Sequence, residues 1–388
     1  MEVVFLIGAI QALFLSTLVF AKKGKIIADF VLFACLALAG FHLFTYYLYC
    51  LDILYEYPIL NLLAVYLPML QGPFTYVYVK TVTNKNGKFD KLNLLHSVPY
   101  LIVTAVLSII VFSNDILPAS DVIKGMYLSA PPFVEVTSIF NSIVGPIYIV
   151  LSWLLLKKHK NNILRDFSYT EEIDLKWLKY VILLMGSIWI VVVIVNILAN
   201  FSEVITDKMG TDLIYYSVAV VIFIEGYFGI KQQVIYAPSS TIVPSDLPIK
   251  ENVLDSQKYK KIESRYVKSG LKKEESEKYL QKLLEYMDRE TPYMDGKLSL
   301  KQVAQKMDIS TNYLSQVINE NLNRNFFDFV NEYRVNLIKQ KMEDPSNNQY
   351  TLLALAFDCG FNSKSSFNVI FKKSTGLTPS AYIKSNIY

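Results

Sequence analysis

Seven long apolar stretches occupy the first 230 residues, and they constrain the fold of this chain more than any other feature. A helix needs roughly 20 mostly apolar residues to cross the hydrocarbon layer of a bilayer. We therefore predict an all-α chain that begins with a bundle of seven transmembrane helices. The stretch 58–79 is the weakest of the seven, because Pro68, Gly72 and Pro73 interrupt it. The stretches lie near residues 3–21, 26–49, 58–79, 94–113, 134–156, 177–199 and 213–230.

The loops between these stretches alternate in charge, which predicts the orientation of the chain. Loops after the first, third and fifth stretches are basic, whereas the others are acidic or neutral. Lysine and arginine concentrate in cytoplasmic loops. We predict a multi-pass protein of the inner membrane with its N-terminus outside and its C-terminus in the cytoplasm. The basic residues are Lys22, Lys23, Lys25, Lys80, Lys85, Lys88, Lys91, Lys157, Lys158, Lys160 and Arg165.

Charge divides the chain into two parts. Residues 1–230 hold 15 Lys and Arg against 16 Asp and Glu, whereas residues 231–388 hold 23 against 18. The basic excess of the second part predicts an anionic partner, either nucleic acid or lipid headgroups. The three cysteines and three histidines are scattered, so no disulfide framework, metal site or cofactor is predicted. Because no nucleophile–base pair or paired carboxylates stand out either, we do not expect an enzyme.

Two segments near the C-terminus have the same pattern, "SLKQVAQKMDISTNYLSQVI" from Ser299 and "TLLALAFDCGFNSKSSFNVIF" from Thr351. Each opens with a capping hydroxyl and has an alanine five residues later. Each then turns, at Asp308 or Gly360, where we expect left-handed backbone. A second helix with an apolar triplet comes next. Helix, tight turn and helix is the helix-turn-helix pattern, and two copies are far more specific than one.

The surrounding segments suggest how the two copies are held. An amphipathic helix from Phe326, ended by Asp344 and Pro345, is predicted to separate them at a fixed distance. An apolar stripe over residues 279–287 predicts a helix that packs onto the domain, with dimer contacts as the alternative. Residues 236–249 contain three prolines and are predicted to form an extended spacer. The predicted domains are a seven-span domain at 1–230, a cytoplasmic linker with an amphipathic helix at 231–296, and the DNA-binding domain at 297–388.

Residues 297–388 resemble the DNA-binding domain of the AraC/XylS family. The matching blocks are "LSLKQVAQKMDISTNYLSQVINE", "FFDFVNEYRV" and, most specifically, "GFNSKSSFNVIFKKSTGLTPSAY". The segment "KYKKIESRYVKSGLKKEES" is similar to membrane-linked members of the family from the Bacteroidota. The resemblance covers about a quarter of the chain and none of its apolar half. It implies a bacterial transcription regulator whose two recognition helices enter successive major-groove segments of double-stranded DNA.

Helical spacing predicts which side chains face the DNA. The outward stripe of the first recognition helix is Asn312, Ser315, Gln316 and Asn319, and that of the second is Ser365, Asn368, Val369 and Lys372. Asn and Gln pair with adenine edges, whereas lysines suit phosphates. Val369 departs from the family pattern, which leaves two alternatives: it touches a thymine methyl, or the second copy reads less sequence and mainly contacts the DNA backbone. The full predicted set is Thr311, Asn312, Ser315, Gln316, Asn319, Ser363, Lys364, Ser365, Asn368, Lys372 and Lys373.

Three alternative functions are compatible with an apolar half followed by a basic tail. The first is a membrane-embedded transcription regulator, a monomer or homodimer, that responds to an unknown membrane or extracytoplasmic signal. The second is a transporter or receptor-like protein with a regulatory DNA-binding tail. The third, a tail that binds anionic lipid, is disfavoured because its charges are interleaved. His42, deep in the second stretch, is the candidate residue for ligand or proton sensing.

Overall fold

The computed structural model describes residues 2–23, 25–84, 90–113, 132–171, 173–201, 207–235 and 273–386. Regular structure in these residues is helical, apart from an isolated antiparallel bridge between Phe167 and Ser299. The chain divides into two compact units, Met1–Lys157 with Lys176–Ile242, and Lys158–Leu175 with Val243–Tyr388. The all-α prediction is confirmed for the described residues. The predicted spacer at 236–249 lies outside them.

The first unit contains the apolar helices. Among the described residues, five segments are long and apolar enough to cross a membrane, or six if α3 and α4, bent by 48°, form one broken span. The apolar part of α8, Met209–Phe223, is shorter. The predicted number of seven spans is therefore not established. The helices are α1 (Val3–Ala21), α2 (Ile27–Cys50), α3 (Pro58–Val65), α4 (Pro68–Thr83), α5 (Val98–Ser113), α6 (Pro132–Asp166), α7 (Lys176–Phe201) and α8 (Asp207–Ile235).

Small residues let the first helices approach closely. A Cβ on Gly40 of α2 would come within 2.8 Å of the Leu13 side chain of α1. A Cβ on Gly8 of α1 would meet Leu43 of α2 at 3.0 Å and Ala219 of α8 at 3.5 Å. Close backbone approach through glycine and alanine is typical of helices that pack in a bilayer.

The predicted interruption of the third stretch is present. It lies at Tyr66 and Leu67, and Pro68 is the first residue of α4. Proline suits this position because a first-turn N–H has no partner inside the helix. The prediction that Gly72 and Pro73 also interrupt this stretch is wrong, because α4 continues through both residues.

The second unit has two cores that share one long helix. Its helices are α9 (Lys273–Glu290), α10 (Leu300–Lys306), α11 (Thr311–Leu322), α12 (Phe326–Glu343), α13 (Leu352–Asp358), α14 (Lys364–Thr375) and α15 (Pro379–Asn386). Phe329 and Val330 of α12 lie in the first core, around α10 and α11. Val335 and Ile338 of α12 lie in the second core, around α13 and α14. The prediction that this helix holds the two copies together is confirmed.

Helix α9 packs onto the first core, as its apolar stripe predicts. Leu283 and Met287 are fully buried in the same cluster as Val303 and Leu314. Burying a leucine side chain contributes about 1.5–3 kcal/mol relative to leaving it in water. This face of α9 is therefore part of the domain core.

Residues 167–175, which we name the strap, connect α6 to α7 and belong to the second unit. The Ser168 N–H donates to the Leu298 carbonyl oxygen at 3.1 Å, and the Ser168 hydroxyl donates to the same oxygen at 2.8 Å. The predicted domain boundaries do not place this loop with the C-terminal domain. The contact is a finding of the structure alone.

Candidate nucleic-acid interface

The two helix-turn-helix copies use the same turn. Asp308 has a φ of 56° and Gly360 a φ of 90°, so both predicted left-handed positions are confirmed. The Ile309 N–H donates to the Ala304 carbonyl oxygen at 3.1 Å, and the Phe361 N–H donates to that of Ala356 at the same distance. Equivalent backbone bonds close both turns.

Hydroxyl caps start the first helix of each copy, as predicted. Ser299 caps α10 and Thr351 caps α13, each accepting a bond from a backbone N–H three residues later. Both first helices contain a fully buried alanine, Ala304 or Ala356. The two alanines belong to the first and the second core respectively.

Serines also cap both recognition helices, which the sequence pattern had not led us to expect. The Ser310 hydroxyl accepts from the Tyr313 N–H at 3.1 Å, and the Ser363 hydroxyl accepts from the Ser366 N–H at 3.1 Å. The available signal was a serine three or four residues before the first apolar residue of each helix, Tyr313 or Phe367. Ser363, predicted as a DNA contact, therefore has a structural role as well.

The first recognition helix, α11, presents most of its predicted stripe. Asn312 and Asn319 are exposed, while Thr311 and Gln316 are partly exposed. The Gln316 amide donates to Glu320 Oε1 at 2.8 Å.

The prediction that Ser315 faces outward is wrong. Ser315 is only 8% exposed, and its hydroxyl accepts from the Asn319 amide at 3.3 Å. Ser315 lies one turn before Ile318, which is fully buried. Positions three apart share a helix face, so the buried surface of α11 is wider than the apolar triplet implies.

The second recognition helix, α14, presents its whole predicted stripe. Ser365, Asn368 and Lys372 are exposed, together with Lys364. Val369 is 66% exposed. An exposed β-branched residue among polar neighbours gives this face an apolar contact point for a base.

Lys373 is exposed but forms an ion pair. Its ammonium donates to Asp328 Oδ1 at 2.6 Å, which links α14 to α12. Because exposed ion pairs contribute only about 0–1 kcal/mol, a phosphate can compete for this lysine at little cost.

Arg334 of α12 is a buried, fully hydrogen-bonded cation that no prediction from the sequence included. The side chain is 1% exposed and donates to the backbone oxygens of Tyr293 and Asp295, both at 2.8 Å. It also donates to the carbonyl oxygen of Ser168 at 3.0 Å and to its hydroxyl at 2.9 Å. A signal existed, because Arg334 lies between Val330 and Ile338 at four-residue spacing on a core face.

The Arg334 guanidinium remains charged in this site. Burial lowers the pKa of Arg334 to about 10, and the charges of Glu171 and Asp295 oppose that effect. A Cβ on Gly360 would lie 3.0 Å from Arg334 Nε. The turn of the second copy and the segment before the first therefore meet at one buried cation.

Glu171 of the strap lies at the N-terminus of α14. Its carboxylate accepts from the Ser363 hydroxyl at 3.3 Å and from the Thr170 N–H at 3.1 Å. Burial alone raises the pKa of Glu171, but hydrogen bonds from Ser366, the backbone and Ser363 outweigh it and lower the pKa. The side chain is therefore a carboxylate at neutral pH.

His42 is buried in the first unit, inside a polar network. Its Nε2 lies 2.8 Å from the Tyr215 hydroxyl, and its Nδ1 lies 3.1 Å from the Gln71 amide nitrogen. The ring of Tyr215 stacks on that of Tyr46, whose hydroxyl donates to Asp212 at 2.5 Å. Three helices, α2, α4 and α8, meet at these groups.

No cluster of three or more His, Cys, Asp or Glu suited to a metal occurs in the described part of the chain.

A family model matches the C-terminal part of the chain. Residues 303–385 match a family model described as a helix-turn-helix domain. A solved structure of a protein of unknown function from Listeria innocua is 30% identical to this chain in sequence, with a TM-score of 0.25. The match covers 27% of this chain and 95% of the Listeria chain. No curated protein matches the sequence. The family match supports an AraC-type DNA-binding domain at the C-terminus of this chain.

Proposed function

We propose that this chain is a membrane-embedded, sequence-specific DNA-binding transcription regulator. The observation that carries the proposal is the tandem helix-turn-helix on one scaffold helix. Two copies with equivalent turns, caps and exposed recognition faces are held by α12. A rigid pair of this kind suits two adjacent major-groove segments of one duplex.

Each recognition helix has its own role in this proposal. On α11, Asn312, Gln316 and Asn319 offer amides that pair with adenine edges. On α14, Ser365, Asn368 and Val369 face the bases, and Lys364, Lys372 and Lys373 contact phosphates. Thr311 and Ser363 flank the two helix N-termini. Ser315 is withdrawn from the base-contacting set, because its burial leaves it the role of positioning Asn319.

The apolar helices anchor the regulator in this proposal and carry its input. The charge pattern of the loops supports an outside N-terminus and a cytoplasmic DNA-binding domain. The network around His42 supports a sensing role, because buried polar groups between apolar helices are functional candidates. A transcription factor of this design takes its signal at the membrane and delivers it to DNA without a phosphorelay.

Chromatin crosslinking of the tagged full-length protein, with membrane fractionation of the same cells, tests this function. The test variant is Gln316→Ala/Lys364→Ala. The matched control is Lys278→Ala/Gln281→Ala, which removes the same side-chain types from exposed positions of α9. We expect discrete DNA sites that disappear in the test variant, persist in the control, and coincide with full-length protein in the membrane fraction. Abundant membrane protein without an enriched site would contradict the proposal.

A further inference from the structure

The strap is an acidic segment docked on a DNA-binding unit. Its sequence, "FSYTEEIDL" over residues 167–175, contains three carboxylates and no basic residue. DNA is itself a polyanion that proteins bind through charge. A carboxylate-rich segment bound to a domain of this kind therefore resembles the nucleic-acid backbone in its negative charge.

Ser168 anchors one end of the strap. The side chain is 1% exposed and makes the bonds to Leu298 and Arg334 described above. The Asn331 amide also donates to the Ser168 carbonyl oxygen, at 3.0 Å. Leu298 immediately precedes Ser299, the cap of α10. This anchor ties the strap to the first helix-turn-helix copy and to α12.

Glu171 brings the strap to the second copy. Its carboxylate accepts from the hydroxyl of Ser363, the N-cap of α14. The Ser366 hydroxyl, in the first turn of α14, also lowers the pKa of Glu171 by hydrogen bonding. Helix N-termini carry partial positive charge and free N–H groups, and they bind phosphates for that reason. The Glu171 carboxylate therefore lies at a position of the kind that binds phosphate groups in other helices.

We propose that the strap is an intramolecular competitor of DNA, with the Glu171 carboxylate occupying a phosphate site at Ser363 and Ser366. The inference rests on the proposed DNA-binding function. When the strap is docked, DNA backbone is excluded from the start of α14; when it is released, the site is open. Because the strap joins α6 to α7 directly, a change in the distance between those two helix ends acts on it without any intermediate protein.

The test compares two variants of the full-length protein in lipid nanodiscs. Glu171→Gln removes the strap carboxylate, and Glu285→Gln removes a carboxylate from an exposed position of α9. Both change the net charge by the same amount, so general attraction to DNA changes similarly. The probe is a fluorescent duplex of random sequence, about 40 base pairs long, because backbone contacts are sequence-independent. We expect Glu171→Gln to bind the duplex about 10- to 100-fold more tightly than Glu285→Gln. The substitution weakens the hydrogen bonds of residue 171, which exist only while the strap is docked, and so destabilises the state that competes with DNA.

Hydrogen exchange gives a second measurement on the same samples. The Ser168 N–H is bonded to Leu298 while the strap is docked. We expect this amide to exchange faster when the duplex saturates the wild-type protein, while amides of the core around Phe367 and Phe371 stay protected. Retained protection of Ser168 in the DNA complex would overturn the inference.

The outcomes separate the inference from the function on which it rests. Equal affinity of the two variants for the duplex would overturn the competition and leave the DNA-binding function standing. Absence of duplex binding by the wild type and both variants would overturn both. Tighter binding by Glu171→Gln together with release of Ser168 supports both.

Discussion

Gly360→Ala isolates the energetic role of the second turn. Gly360 has a φ of 90°, in a region that costs an L-residue about 1–2 kcal/mol. A Cβ there would also lie 3.0 Å from the Met294 oxygen and Arg334 Nε, and nearer still to the Tyr293 oxygen. Relieving this collision displaces Arg334 from the Tyr293 oxygen, and a hydrogen bond to a charged group contributes about 1.5–3 kcal/mol. We expect a total loss of about 3–5 kcal/mol in the free energy of unfolding of this domain.

Gly376→Ala is the matched control. Gly376 caps α14 with a φ of 79°, but an added Cβ would meet nothing within 4 Å. The same substitution there carries backbone strain without a collision. We expect a loss of about 1–2 kcal/mol in the free energy of unfolding.

Hydrogen exchange of the full-length protein measures both variants. Amides of the second core, around Phe367 and Phe371, exchange through opening of the domain. Because each 1.4 kcal/mol is about a factor of ten, Gly360→Ala should accelerate exchange by about two to three and a half orders of magnitude and Gly376→Ala by about one. Equal acceleration in the two variants would refute the predicted contact between the added Cβ and its neighbours at Gly360. Unchanged exchange in Gly360→Ala would refute both the contact and the backbone strain.

Further predictions concern DNA contact, packing and the membrane network. Asn312→Ala should cost about 1–3 kcal/mol of binding free energy for the best site and relax base preference at one position, as measured by selection from random duplexes. Lys372→Ala should weaken binding to all sequences and lower the slope of log affinity against log salt by about 0.9, as measured by titration at several salt concentrations; an unchanged slope would contradict a phosphate contact. Leu283→Ala should destabilise the domain by about 2–5 kcal/mol in the exchange assay, because Leu283 is fully buried, whereas a dimer-only role predicts a changed oligomeric state at constant stability. Tyr215→Phe removes one hydrogen bond to His42 and should cost only about 0.6 kcal/mol of stability, leaving insertion intact but changing the response if this network senses the signal.

Local chemistry explains the features that could be predicted from the sequence. The turns at Asp308 and Gly360 and the caps at Ser299 and Thr351 are determined by residues within one helical turn of each other. The shared role of α12 is evident from its apolar spacing. Each of these features was predictable because chain neighbours determine it.

Non-local contacts explain the features that could not be predicted. Ser315 is buried although its spacing places it at the edge of the exposed stripe of α11. Arg334 binds carbonyl oxygens from Tyr293 and Ser168, 41 and 166 residues away along the chain. The strap reaches Ser363 across 192 residues. Periodicity within one element contains no information on partners this distant.

Because both cores pack on α12, the number of residues between its two core segments is under evolutionary constraint. Each residue of an α-helix advances the chain by about 1.5 Å and, at about 3.6 residues per turn, rotates the next residue by about 100° around the helix axis. An insertion of one codon between Val330 and Val335 would therefore turn α14 towards a different side of the duplex from α11, even with both cores intact. Substitutions on the exposed face of α12 leave that geometry unchanged. In descendants of this gene we expect the number of residues in this interval to be preserved more strictly than their identity.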